Sequence, residues 1–447
     1  MLKAAGLLNI VRPFTRKGWG HWIRFALLLA GAGYAGHVLS TGTWLTTFRY
    51  TIYHRQLMMR DRSQLYPRRT ALVVLDDADY WGDSFEARTP LKRNELALLI
   101  DKLDAAGVNT VALDVILSSP HPQDSGFEFK AYQTEDDQLY SAIEGVCAAG
   151  RHVVLASSVQ FDQDGYRKIP SIYSAPLKSY MEPSKTQPTQ PPCVVPGHIQ
   201  LPFDMRRMPG AVELADGGTL DSMALAVTGI ADPTAHEEAI AKTGEGFRFS
   251  EYLTPDDFKA RNGRQFIFSG AQILNTSPAV LRGQLADKLV FVGASWHANA
   301  LGSTPCVEEP ELCVDMHNSP GGMEPGVMLH ANYVEAMLDR TGTFAPISNT
   351  TAELIEIALA LALAMIGVLE IHTAWKWAAL AIAIVFSILF TYMLLQNLGL
   401  FLDFLFPMLM IVVHSIAEEV LKVWHEFRLL KQNANHKPEL EAAGGQG

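Results

Sequence analysis

Four apolar segments of about 20 residues each place the strongest constraint on how this chain can fold. One covers residues 25–45, and three follow one another closely at residues 351–370, 375–395 and 398–418. About 20 apolar residues in a helix span the roughly 30 Å of bilayer hydrocarbon. The sequence therefore predicts one transmembrane helix before, and three after, a middle region at residues 50–349 that is large enough to bury its own core.

Basic residues orient these segments. The first 24 residues hold five Lys or Arg and no Asp or Glu, and basic residues also follow the last segment. Because basic flanks stay in the cytoplasm, we expect a cytoplasmic leader at residues 1–24 and a short cytoplasmic helix and tail at residues 419–447. The middle region then lies outside. A cleaved signal peptide is the alternative for residues 25–45, and an uncleaved anchor is favoured because the basic leader is long.

Charge and motifs exclude several function classes. The leader carries +5 of the formal net charge of −11, which leaves −16 on the rest of the chain. Such an acidic surface argues against nucleic acid as a partner. The sequence has no GxSxG elbow and no phosphate loop of the GxxxxGK type, so it predicts neither an enzyme nor a cofactor.

All four cysteines lie in the predicted outside region. An even number of cysteines in an oxidising compartment favours disulfides, with four free thiols as the alternative. Cys306 and Cys313 flank a short acidic stretch and are expected to close a small loop, which leaves Cys147 to pair with Cys193. No CxxC spacing occurs, so zinc is disfavoured and no metal ligand is predicted.

The middle region alternates short apolar runs with stretches of helical spacing. Predicted strands cover residues 71–75, 110–113, 152–156, 265–268 and 289–293. Predicted helices cover residues 91–106, 135–149, 220–230 and 327–338. This alternation predicts an α/β domain with a mainly parallel sheet and right-handed crossovers. The proline-rich residues 161–202 interrupt the pattern and are predicted to form a long surface excursion.

Polar residues follow the predicted strands, where parallel sheets bind ligands. Asp76 and Asp77 follow the first strand, Asp114 the second, and Ser295 the last. If the first two strands are neighbours, Asp76 or Asp77 approaches Asp114, and paired carboxylates bind cations or transfer protons. Capping of the following turns and helices is the favoured alternative.

Three histidines form a late cluster in the sequence. His297, His317 and His330 occur there, with Asp315 two residues before His317. Histidine and aspartate ligate metals together, but without close regular spacing we favour structural hydrogen bonds. The candidate ligand-binding residues are therefore Asp76, Asp77, Asp114, Ser295, Asp315, His317 and His330.

The end of the last apolar segment continues as a heptad pattern. Ile416, Val420, Val423, Phe427 and Leu430 are spaced by four, three, four and three residues. This spacing predicts a short coiled coil and hence a homodimer or a larger complex. An amphipathic helix lying on the bilayer surface is the open alternative.

Several sequence pieces resemble, in order, the second class of CHASE domain. This family is the extracellular sensory domain of bacterial cyclase and histidine-kinase receptors, and it is commonly flanked by one span before and three after. The matching pieces are LVVLDDA (72–78), Pro90, Arg93, LDAAGVNTVALDVILSSP (103–120), Asp137 to Leu139, FDMRRMP (203–209), KLVFVGAS (288–295), DMHNSPGG (315–322) and PGVMLHAN (325–332).

The chain also departs from this family. Thr89 and Leu91 replace the aromatic residues that tend to flank the matching proline, and residues 299–314 are an insertion that carries Cys306 and Cys313. Only residues 419–447 follow the last segment, so we expect this chain to lack the family's usual fused output domain.

The resemblance implies a bacterial inner-membrane sensor with a periplasmic domain and both termini in the cytoplasm. Without its own output domain, such a chain signals to a separate cytoplasmic or membrane effector. A structural subunit of a cell-envelope complex is the alternative. A periplasmic hydrolase that uses the carboxylates is the least favoured interpretation.

Overall fold

The computed structural model describes most of the middle region and short pieces of the rest. The described residues are 65–117, 129–162, 165–168, 176–183, 191–201, 209–243, 248–249, 253–261, 263–299, 301–302, 304–319, 322–339, 343–346 and scattered residues between 378 and 429. The chain divides into two compact units, one formed by His54–Pro346 and the other by Met1–Tyr53 with Ile347–Gly447.

The four predicted transmembrane segments fall mainly outside the described residues. No helix in the described part of the chain is long and apolar enough to cross a bilayer. Within the last predicted segment, Leu400–Phe401 form a two-residue strand. The helix predicted to start at residue 398 therefore does not include these two residues.

The described strands and helices alternate along most of the middle region. The strands are β1 (Thr70–Leu75), β2 (Thr110–Asp114), β3 (His152–Ser157), β4 (Val159–Asp162), β5 (Gly165–Lys168), β6 (Val194–His198), β7 (Val212–Glu213), β8 (Thr219–Leu220), β9 (Arg248–Phe249), β10 (Ile267–Ser269), β11 (Leu289–Ala294), β12 (Met316–Ser319), β13 (Gly322–Pro325), β14 (Thr343–Pro346) and β15 (Leu400–Phe401). The helices are α1 (Asp77–Tyr80), α2 (Arg93–Ala105), α3 (Phe129–Ala148), α4 (Lys178–Met181), α5 (Met223–Ala231), α6 (Pro233–Thr243), α7 (Gly270–Asn275), α8 (Pro278–Leu285) and α9 (Gly326–Asp339).

Six of the described strands form one parallel sheet. Their order is β10-β1-β11-β2-β3-β6, so β11 lies between β1 and β2. Val73 of β1 pairs with Val292 of β11, which pairs in turn with Leu113 of β2. The predicted α/β domain with a mainly parallel sheet is therefore confirmed.

Helices cover both faces of this sheet. Successive residues of β1 alternate between two cores, since Ala71 and Val73 pack on one side and Leu72 on the other. Helices α2, α3, α7 and α8 contribute apolar side chains to the first core, and α5 and α9 contribute to the second. Strands buried on both faces need continuous apolar runs, and ALVVL and LVFVG supply them.

The proline-rich segment is not only a surface excursion. Its last part forms β6, which pairs with β3 at the edge of the sheet, with Leu155 opposite Pro196. A proline removes one backbone donor, and an edge strand tolerates that loss on its unpaired side. The sequence prediction for residues 161–202 was therefore wrong at Val194–His198.

Both predicted disulfides are present. Cys147 near the end of α3 bonds to Cys193, immediately before β6, with Cα atoms 5.5 Å apart. Cys306 bonds to Cys313, with Cα atoms 5.8 Å apart. The first bond ties the edge strand to a helix of the first core, and the second closes a short loop after β11.

We predict that the two disulfides contribute unequally to stability. The chain-entropy relation gives about 4 kcal/mol for a separation of 46 residues and about 2 kcal/mol for one of 7 residues. Urea unfolding of the detergent-solubilised chain should therefore show a larger loss for Cys147→Ser with Cys193→Ser than for Cys306→Ser with Cys313→Ser. Equal losses would contradict this entropic ranking.

Candidate functional site

The strand order separates the carboxylates that follow β1 from the one that ends β2. Strand β11 lies between these two strands, so the condition for a close approach of Asp76 or Asp77 to Asp114 is not met. The two groups instead take part in different local structures at the same edge of the sheet.

Asp76 caps a helix, as the favoured alternative expected. Its carboxylate accepts a hydrogen bond from the Asp79 backbone N at 3.1 Å at the start of α1. The Asp79 carboxylate in turn accepts a hydrogen bond from the Asp76 backbone N. It also accepts hydrogen bonds from the backbone N atoms of Gly270 and Ala271, at 2.8 and 2.7 Å. Burial raises the pKa of Asp79, although these backbone donors oppose the shift. The two carboxylates therefore join the starts of α1 and α7.

Asp77 holds the loop that follows β11. Its carboxylate oxygens lie 2.7 Å from the His297 backbone N and 2.6 Å from His297 Nδ1. The Trp81 indole donates a hydrogen bond to the His297 carbonyl, and the rings of Tyr80 and Trp296 stack with centroids 4.4 Å apart. The structure thus gives His297 partners of its own instead of grouping it with the other two late histidines.

Ser295 has a structural role at the end of β11. Its backbone N donates to the Leu75 carbonyl at 2.8 Å and continues the pairing of β11 with β1. Its hydroxyl lies 3.6 Å from the sulfur of Met316 on β12.

A group of ionisable residues, four of them buried, lies at the end of β2. Asp114 and His330 are at its centre, with the Asp114 carboxylate 3.9 Å from His330 Nε2 and side-chain exposures of 5% and 1%. We call this group the carboxyl-edge cluster. Its members are Asp114, His198, Asp315, His317, Glu324 and His330.

Asp315 and Gly326 connect the cluster to the start of α9. The Asp315 carbonyl accepts a hydrogen bond from the Gly326 N at 2.8 Å, and its carboxylate lies 2.9 Å from His317 Nε2. A Cβ at position 326 would come within 2.6 Å of both carboxylate oxygens of Asp315. Glycine at this position therefore permits the carboxylate to lie against the helix.

His198 and Glu324 complete the cluster from strands that the sequence patterns did not single out. His198 ends β6, is 2% exposed, and its Nε2 lies 2.7 Å from the Gly210 carbonyl. Glu324 is 1% exposed on β13, directly opposite His317 on β12. Neither residue belongs to a recognisable motif, and only the strand pairings bring them here.

Burial shifts the pKa values of Asp114, His330 and Glu324 toward their uncharged forms. Burial, with the negative charge of Asp315 beside it, raises the pKa of Asp114 well above its usual range. Burial, helped by His198 and His317, lowers the pKa of His330 to about 3. Burial also raises the pKa of Glu324 to about 7, against the opposing effects of Ser319 and His317. Removing charges from water is costly, so burial favours the uncharged forms of these three side chains.

Neutral acids and imidazoles supply both donors and acceptors to a polar ligand, and Glu324 titrates near neutral pH. Of the predicted candidates, the structure brings together Asp114, Asp315, His317 and His330. It places Asp76, Asp77 and Ser295 in local structural contacts.

A known protein family matches this chain. A family model described as CHASE2 domain matches residues 25–369, which is more than half of the chain. The chain belongs to the CHASE2 family. The resemblance found in the sequence is therefore confirmed, and CHASE2 is a family of sensory rather than catalytic domains. No curated protein and no solved structure matches the chain.

We predict that Glu324 makes the stability of this CHASE2 domain depend on pH. Its pKa rises from an ordinary 4.5 to about 7, so between these values the folded chain keeps a proton that the unfolded chain releases. Its stabilising contribution is complete below pH 4.5 and is lost as the pH rises through 7. Glu324→Gln should therefore gain up to about 3 kcal/mol relative to the wild type between pH 5 and pH 8 in urea unfolding. A constant difference across this range would contradict the shift.

We also predict that a methyl group at position 326 damages the cluster. Gly326→Ala forces the Asp315 carboxylate to move and should cost about 1–3 kcal/mol. Gly283→Ala in α8 is the matched control, because no atom lies within 4 Å of its added Cβ. The control should be neutral or stabilising by about 0.5–1 kcal/mol. Thermal unfolding of both variants measures the contrast, and equal stabilities would show that the carboxylate does not depend on Gly326.

Proposed function

We propose that this chain is a bacterial inner-membrane sensor whose periplasmic CHASE2 domain passes a signal to a separate effector. The observation that carries the proposal is the position of helix α9. This helix begins at the carboxyl-edge cluster and is the last described helix before the predicted segment at residues 351–370. A change of protonation or ligand occupancy in the cluster therefore acts directly on α9.

Polar contacts along α9 favour movement of the helix as a unit. His330 faces Asp114 near its start, and the Asn332 side chain exchanges two hydrogen bonds with the backbone of Leu253. Near its end, one carboxylate oxygen of Glu335 accepts from the backbone N and the hydroxyl of Thr70, at 2.6 and 2.9 Å. A packed helix with such contacts changes between discrete arrangements rather than bending continuously.

The membrane arrangement rests on the sequence and on the extent of the family match. The match begins at residue 25 and ends at residue 369, so it includes the first predicted segment and nearly all of the second. The proposed topology has four membrane spans, at residues 25–45, 351–370, 375–395 and 398–418, with both termini in the cytoplasm. The bilayer is then a partner of the chain throughout.

An exposed apolar helix face supports assembly with a second copy or an effector. Val420, Val423 and Phe427 are helical and 60–66% exposed. Together with Trp424 they line one apolar surface. A homodimer that pairs these faces would transmit a movement of α9 across the membrane to a cytoplasmic or membrane-bound effector.

We predict that the cluster controls contact between copies of this chain. In native membranes, Val423→Cys should form an intermolecular disulfide under mild oxidation. The four native cysteines are already bonded to one another and do not compete. Adding Asp114→Asn or His330→Gln should change the yield at least twofold, since the substituted groups no longer set the position of α9.

Two comparisons make this experiment decisive. Asp101→Asn is the matched control, because Asp101 is exposed on α2 and lies outside the cluster. It should leave the crosslinking yield unchanged. Absence of any crosslink at position 423 would contradict the homodimer. A crosslinking yield that is the same with and without the two cluster substitutions would contradict signalling through the cluster.

A further inference from the structure

The loop after β11 brings together three side chains with soft or imidazole ligand atoms. Ligand atoms of His297, Cys306 and Cys313 lie within 4.8 Å of one another. Cys306 Sγ is 3.8 Å from Nδ1 of the His297 ring. The spacing H-x8-C-x6-C differs from paired-cysteine motifs, and the fold rather than the sequence pattern assembles the group.

Asp77 orients the His297 ring through one nitrogen, and the other nitrogen makes no hydrogen bond to a described residue. Its Nδ1 lies 2.6 Å from an Asp77 oxygen, an arrangement in which Nδ1–H donates to the carboxylate and Nε2 carries the lone pair. The side chain is 5% exposed, and Nε2 makes no hydrogen bond to any residue that the structure describes. Metal-binding histidines are commonly held by a carboxylate in this way.

The backbone fixes the cysteines beside this ring. His297 and Cys313 form an antiparallel bridge, and hydrogen bonds from Ala298 to Leu312 and from Val314 to Trp296 flank it. Cys306 is buried at 9% exposure. The backbone contacts hold Cys313 beside the imidazole independently of the disulfide, and Cys306 is buried next to the same ring.

Glu309 places a carboxylate oxygen near the second ring nitrogen of His297, where it could be the fourth ligand. Its Oε2 lies 3.7 Å from His297 Nε2, and its side chain is 43% exposed. Two thiolates, one imidazole and one carboxylate or water make the four-coordinate set that zinc prefers. Of the ordinary divalent metals, zinc is the one best suited to such mixed sulfur and nitrogen donors at a redox-inert site.

We propose that Cys306, Cys313 and His297 form a zinc site that is available only when the Cys306–Cys313 disulfide is reduced. A dithiol reductant would transfer two electrons and two protons to the disulfide and itself become a disulfide. Binding of Zn²⁺ to the two thiols would then release two protons as both sulfurs become thiolates. The oxidised and zinc-bound forms exclude each other, because each requires both sulfurs.

This inference goes beyond the proposed sensor function and does not depend on it. Its two cysteines lie within the insertion at residues 299–314, and its histidine is held by Asp77, which follows the end of β1. Exchange of the disulfide for zinc would give the domain two alternative states of this loop. The loop would therefore report thiol redox state or zinc supply.

Zinc content of the detergent-solubilised full chain tests the site. After reduction, exposure to Zn²⁺ and removal of excess metal, elemental analysis should find about one zinc per wild-type chain and none in the oxidised chain. Co²⁺ in place of zinc should produce thiolate-to-metal absorption only in the reduced chain. Absence of zinc from the reduced wild type would overturn the proposal without any variant.

Variants identify the ligands. Cys306→Ser with Cys313→Ser should lose the zinc, and His297→Gln should weaken binding at least tenfold. Glu309→Gln alters only a partly exposed side chain and should weaken binding severalfold while the fold is kept. Cys147→Ser with Cys193→Ser is the matched control, since it removes the other thiol pair and should retain the zinc. Zinc retained by the first pair or lost by the control would overturn the assignment.

Discussion

The pairing of β11 with both β1 and β2 positions the carboxyl-edge cluster and the loop that holds His297, Cys306 and Cys313. Its residues pair with β1 on one side and β2 on the other, although about 200 residues separate β1 from β11 along the chain. The loop after β11 consequently reaches Asp77, and α9 packs beside the end of β2. Such distant pairing is entropically costly to form, and it is repaid by apolar strands buried on both faces.

Burial favours the uncharged forms of three members of the carboxyl-edge cluster. Asp114, Glu324 and His330 are almost completely buried, and burial moves the pKa of each toward its neutral form. Groups whose ionisation is so strongly tied to their surroundings respond to small changes in those surroundings. Shifted pKa values of this kind concentrate at functional sites. A sensory family is a natural context for such a cluster, since recognition needs two states that differ in contacts.

Two different chemistries occupy the same edge of the sheet. The carboxyl-edge cluster holds oxygen and imidazole groups around the start of α9, whereas the neighbouring loop holds two sulfurs and the His297 ring. Asp77 belongs to the second group because it follows β1, and β11 separates β1 from β2. Strand order thus divides residues that look alike in the sequence between the carboxyl-edge cluster and the loop that holds Cys306 and Cys313.

The sequence by itself determined the local elements of this protein. Apolar runs such as ALVVL and LVFVG predicted buried strands, and the position of Asp76 after the first strand predicted a helix cap. The even number of cysteines and their spacing predicted both disulfides. These signals are local, since each depends on neighbouring residues or on loop closure. Only the tertiary structure decided strand order, the place of β6 in the sheet, and the partners of His198, Glu324 and His297. Those outcomes depend on packing between residues far apart in the chain, which no local pattern encodes.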